Sequence, residues 1–113
     1  MKYQDIPYLK HILDAINDIE GSLSNLYEEE FRKNKDIKDA IIRRLEIIGE
    51  AAKNVSKEIK KRYPKVEWAK ISGTRDRIIH AYFNVDLGIV WNIVKKDIPI
   101  LKKQIKEILN GKK

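Results

Sequence analysis

The chain has 113 residues, enough for one domain and too few for two. It contains no cysteine, which excludes disulfides, thiolate metal sites and a thiol nucleophile. Lysine and arginine outnumber aspartate and glutamate 24 to 17, giving a formal net charge of +7 and a pI near 9.5. Such a balance favours polyanions as partners, nucleic acid first, although lysine is spread along every segment and an Ile- and Lys-rich chain also fits life at high temperature. Met1 leads into Lys2-Tyr3-Gln4-Asp5 without an apolar signal core, and no stretch reaches the roughly 20 apolar residues of a membrane span. A cytoplasmic location with no membrane partner is the expectation.

The apolar pattern is helical almost throughout. Leu9, Ile12, Ile16, Ile19, Leu23 and Leu26 follow strides of three and four. Asp5 and Pro7 suit the entry to this first helix, and Gly21 weakens it by about 1 kcal/mol relative to alanine. His11 reads as polar helix surface. Lys33-Asn34-Lys35 reads as a short connection. Asp36 is then the expected N-cap of the next helix, with Asp39 completing an acidic first turn. Ile41, Leu45, Ile48, Ala52, Val55 and Ile59 give that helix its stripe, while Ile42, Ile47 and Ala51 widen the apolar face enough for a core and a second subunit. Lys60-Lys61-Arg62 favour its C-terminal dipole and Pro64 ends it. Within it, Gly49-Glu50-Ala51-Ala52 reads as a place where two helices approach closely, or where Glu50 hydrogen-bonds groups near the cleft.

Val66–Ile71 is a short helix or turn, with Trp68 as a packing residue. Ser72 or Thr74 is the expected cap of the following helix, which should run to about Tyr82. Phe83-Asn84-Val85-Asp86 reads as a turn, and Asn84 or Asp86 caps the last helix. That helix buries Leu87, Val90, Val94, Ile98, Leu101, Ile105 and Ile108, is kinked or split at Pro99, and closes at Asn110-Gly111. Its lysines form a solvated face. No alternating β pattern appears. The fold class is all-α: a single domain over residues 1–113, built as an antiparallel bundle of about four main helices plus a short helix.

One segment concentrates chemistry. Arg75, His80 and Tyr82 form R-x4-H-x-Y, bringing together a permanent cation, an imidazole that titrates near neutrality and a phenol. Five residues along an ideal helix turn a side chain by about 140°, so Arg75 and His80 do not share a helix face. They can meet one substrate if Arg75 reaches round, if the helix ends near His80, or if a two-fold axis supplies a second copy of the motif. RNA transesterification fits these groups. The nucleophile is the substrate's own 2′-hydroxyl, an imidazole can move protons, and a guanidinium can stabilise the phosphorane. His11 and His80 are the only histidines, they lie far apart in sequence, and no H-E-x-x-H is present, so no metal and no cofactor is expected.

Two blocks, Ile41-Ile42-Arg43-Arg44-Leu45-Glu46-Ile47-Ile48-Gly49-Glu50-Ala51-Ala52-Lys53 and the run from Trp68 to Asp86 around R-x4-H-x-Y, resemble the HEPN superfamily. Within it the chain is most similar to the HepT-like ribonuclease toxins of prokaryotic toxin–antitoxin pairs. The resemblance covers nearly the full length. It implies a HEPN-like homodimer that cleaves RNA without a metal, with Arg75 and His80 of both subunits lining one cleft as the catalytic pair. Asp76 matches the polar residue that supports the family's arginine. Tyr82 matches the tyrosine that an MntA-like nucleotidyltransferase antitoxin modifies with AMP. Arg77, Arg43 and Arg44 are candidates for extending the RNA-binding surface. Thr74 departs from the pattern, standing where many members carry an apolar residue. The rival implied by inactive superfamily members is a non-catalytic helical dimer that docks a nucleotidyltransferase or binds nucleic acid.

Overall fold

A computed structural model describes residues 4–81 and 84–111, with the side chains of 79–81 and 84 left out. It is an all-α bundle, as the periodicity implies. Helix α1 spans Asp5–Leu23 and buries Leu9, Ile12, Ile16 and Ile19 completely. It stops three residues before Leu26, because Ser24 turns out of the helix with φ of 25°. The expected connection is instead shortened by α2, Glu28–Lys33. The Glu30 carboxylate accepts the Tyr27 N–H at 3.0 Å to open α2, and fully buried Phe31 pins it against the Trp91 ring at 5.4 Å.

Helix α3, Lys35–Asn54, starts one residue before the cap expected of it. Asn34, not Asp36, is the N-cap, and its side-chain oxygen accepts the Ile37 N–H at 3.0 Å. The expected continuous helix through Ile59 is two helices. Val55 is extended (ψ 141°), and Ser56 caps α4, Lys57–Arg62, by accepting from the Ile59 N–H. Val55 and Ile59 are still buried, so the apolar stripe survives the break. The break is held from outside by the Asp5 carboxylate, which accepts from the Ser56 N–H and hydroxyl at 2.8 and 2.7 Å.

Helices α5 (Trp68–Ser72) and α6 (Thr74–Ile78) follow. Trp68 is buried, and its indole N–H donates to the Tyr63 carbonyl at 3.1 Å. Neither expected cap acts as one. The Ser72 hydroxyl donates back to the Trp68 carbonyl, and Thr74 Oγ1 donates to that of Ile71 at 2.7 Å. The latter bond satisfies the buried Thr74 hydroxyl. Helix α6 ends at Ile78, short of Tyr82. Ile79–Ala81 (β1) is extended and pairs antiparallel with Asn84–Val85 (β2), where a plain turn was expected. Phe83 and Tyr82 lie outside the described residues.

Asp86 then caps α7, Leu87–Asn92, accepting from the Ile89 N–H at 3.0 Å. Between α7 and α8 (Ile98–Leu109) lies a π turn, Ile93–Asp97. Pro99, in the first turn of α8, has no N–H for the carbonyl four residues back, so the regular ladder cannot continue through it. The splitting expected from the proline is therefore a widened turn. Helix α3 is the centre of the bundle, with α1 along one side and α5–α6 on another, and α8 packs against α1. One cluster of buried residues joins all of them.

Candidate functional site

Gly49 sets the position of the α5–α6 unit. A Cβ at that point would lie 3.1 Å from the Ile71 carbonyl oxygen and 3.5 Å from that of Ser72. Only the absence of a side chain lets the end of α5 rest directly on α3. Helix α6 starts two residues beyond Ser72, so this contact also fixes where Arg75 leaves the backbone.

The result is a groove of about 410 Å³ over the surface of α3. Tyr8 and His11 come to it from α1, Arg43, Glu46 and Glu50 from α3, and Arg75 from α6. The close approach read from Gly49 is present, and Glu50 lines the groove, with no side-chain hydrogen bond among the described residues.

The arginines divide sharply. Of the six in the sequence, Arg32 pairs with Glu28 at 2.8 Å, Arg44 with Asp18 at 3.4 Å, Arg62 with Glu58 at 3.8 Å and Arg77 with Asp97 at 3.6 Å. Among the described residues, Arg43 and Arg75 have no ion pair, and both line the groove. Two exposed guanidinium groups without carboxylate partners are free to meet an incoming anion.

The structure thus brings Arg75 and Arg43 together and sends Arg44 and Arg77 elsewhere. Arg77 faces a smaller crevice of about 110 Å³ that also takes in Lys70, Asp97 and Ile98. Asp76 is exposed, with no hydrogen bond to Arg75 among the described residues. The His80 backbone lies in β1, beyond the end of α6, so the 140° separation of a continuous helix does not apply to Arg75 and His80. The His80 side chain and Tyr82 lie outside the described residues.

Sequence reasoning missed His11 and Glu46 as groove residues. The available signal was Tyr8 and His11 at i and i+3, one face of α1 beside the buried line of Leu9 and Ile12. Without knowing which helix lies next to α1, that face could not be told from solvated surface.

The family model described as ribonuclease HepT-like matches residues 12–108. The chain is 46% identical over 102 residues to a Methanocaldococcus jannaschii protein named gamma-glutamylcyclotransferase and putative RNase. It is 44% identical over 107 residues to a putative RNase of Caldanaerobacter subterraneus subsp. tengcongensis. It is 41% identical over 108 residues to a probable ribonuclease HepT of Thermococcus cleftensis. These alignments take in 90%, 95% and 96% of this chain, and 46%, 96% and 98% of the respective relatives. The chain therefore spans about half the length of the first and nearly all of the other two. No solved structure gives a significant match.

Proposed function

This chain belongs to the ribonuclease HepT-like family, and we propose on that footing that it is an endoribonuclease toxin cutting RNA by acid–base transesterification. A base takes the proton from a ribose 2′-hydroxyl. The freed oxygen attacks the adjacent phosphorus, and an acid protonates the departing 5′-oxygen. His80 is the imidazole assigned to proton transfer, and Arg75 is the cation assigned to the phosphorane. Asp76 is assigned to supporting Arg75. The substrate carries its own nucleophile, so the reaction needs no metal-bound hydroxide, and no cofactor is proposed.

The observation that carries this reading is the groove in which Arg75 and Arg43 have no ion pair among the described residues while the other four arginines are paired. A homodimer completes the proposal. A two-fold axis would double Arg75 and His80 in one trough, and Glu46 and Glu50, which have no ion pair among the described residues, line the groove with Arg43 and Arg75 and give each copy both signs to offer its partner. Control comes from an MntA-like nucleotidyltransferase antitoxin that transfers AMP to Tyr82. The added nucleotide brings bulk and negative charge to the neighbourhood where RNA phosphate must sit.

The test is RNA cleavage in EDTA by the wild type, His80→Ala and Arg75→Ala. The expected result is a loss of roughly 100-fold or more for His80→Ala, and equal cleavage by all three proteins overturns the catalytic reading. A second reading draws on the same two glutamates, which oppose RNA phosphate and suit cations of a protein partner. It is a non-catalytic dimer docking the transferase. Tight transferase binding by a protein that neither cleaves RNA nor harms the cell when produced alone would select it.

A further inference from the structure

We infer that His11 is a phosphate-contacting residue of this groove, so that RNA binding carries a proton-linked contribution from α1 as well as the contribution of the R-x4-H motif. The inference rests on the reading of the groove as the RNA site. His11 is exposed on α1, lines the same groove as Arg43 and Arg75, and has no hydrogen bond or ion pair among the described residues. It enters from α1, whereas Arg75 enters from α6, with Arg43 on α3 between those helices. A backbone lying across α3 would therefore pass a cation on α6, a cation on α3 and an imidazole on α1.

Three helices bring charged or titratable groups to the neighbourhood of His11. Tyr8 of α1 lines the groove with it, Lys10 and Asp14 are its near neighbours along α1, Arg43, Glu46 and Glu50 come from α3, and Arg75 comes from α6. The groups from α3 and α6 are two guanidinium ions and two carboxylates. A bound phosphate favours imidazolium over imidazole. By linkage, affinity for RNA is highest at low pH and falls as pH rises through the imidazole range. A histidine is the only side chain whose ordinary titration gives such a dependence near neutrality.

The chain has only two histidines, which makes the test clean. Binding of a 2′-O-methyl oligoribonucleotide, which cannot be cleaved, is measured between about pH 5 and 8 at fixed low salt. The proteins are His80→Ala, which keeps His11 as the lone imidazole, the double variant with His11→Gln, and Arg75→Ala. In His80→Ala, binding should tighten roughly threefold to fivefold on acidification. The double variant should lose that gain and keep the alkaline affinity, and Arg75→Ala should weaken binding at every pH. A pH gain that persists in the double variant, or no gain in His80→Ala, overturns the role of His11 and leaves the groove reading in place if Arg75→Ala still weakens binding. Unchanged binding in all variants overturns both. Thermal melting of each variant confirms that the comparison is between folded proteins.

Discussion

Asp5 and Ser56, 51 positions apart in the chain, are joined by two hydrogen bonds, from the Ser56 N–H to Asp5 Oδ1 at 2.8 Å and from the Ser56 hydroxyl to Oδ2 at 2.7 Å. Asp5 is 1% exposed, so its carboxylate has little water to fall back on. Replacing it with alanine leaves the Ser56 donors at the α3–α4 break unsatisfied. The expected loss is about 1.5–3 kcal/mol of unfolding free energy, read as a lower urea midpoint at unchanged slope. Ser56→Ala removes one of these bonds together with the α4 cap, and its effect should be strongly non-additive with that of Asp5→Ala.

Gly49 supports the groove rather than the core. Gly49→Val drives carbon into the Ile71 carbonyl, which a hypothetical Cβ already meets at 3.1 Å. We expect about 1–3 kcal/mol of destabilisation. RNA cleavage should fall further than the remaining folded fraction accounts for, since α5–α6 must move away from α3 and take Arg75 with it. Measuring kcat/KM alongside the denaturation midpoint separates the two effects. Cleavage that merely tracks the folded fraction would mean that Arg75 keeps its place.

Salt dependence should distinguish the free arginines from the paired ones. Binding of single-stranded RNA weakens with salt by a slope of about 0.7 per neutralised phosphate. Arg43→Ala should lower the slope by about that amount. Arg44→Ala and Arg77→Ala, whose parents are held by Asp18 and Asp97, should leave it nearly unchanged. Equal slopes for all three variants would remove the link between free guanidinium groups and RNA.

Incubation with the cognate nucleotidyltransferase and ATP should add mass in AMP units to the wild type and suppress cleavage. Tyr82→Phe should remain unmodified and active in the same mixture. Intact-mass spectrometry followed by peptide mapping decides it, and full modification of Tyr82→Phe would move the acceptor to another residue.

The all-α class was legible because burial follows the 3.6-residue period: Ile41, Leu45, Ile48, Ala52, Val55 and Ile59 are all buried even though the backbone breaks among them. The break itself was hidden for that reason. A stripe of apolar residues reports which side faces the core, and it does not report whether the ladder of hydrogen bonds is continuous. Ser56 and Asn34 could have marked the helix starts, but caps are decided by competition, and Asp5 takes part in that competition from the far end of another helix. The end of α6 at Ile78 was weakly encoded too, since Ile78-Ile79 satisfies helix and strand equally. Arg75 was legible through its motif. His11 was not, because its meaning depends on α1 lying beside α3, a tertiary fact with no local mark.

The π turn at Ile93–Asp97 acts as an insertion already absorbed. A π turn takes up one more residue than an α turn while leaving the helices on either side nearly in phase. Excising Lys95 or Lys96 there would narrow the turn and leave Val90 and Leu101 facing inward. The same excision inside α8 would rotate every later side chain by about 100° and carry Ile105 and Ile108 out of the core. The C-terminal rod is thus tolerant of length change at one place and intolerant a single turn further on.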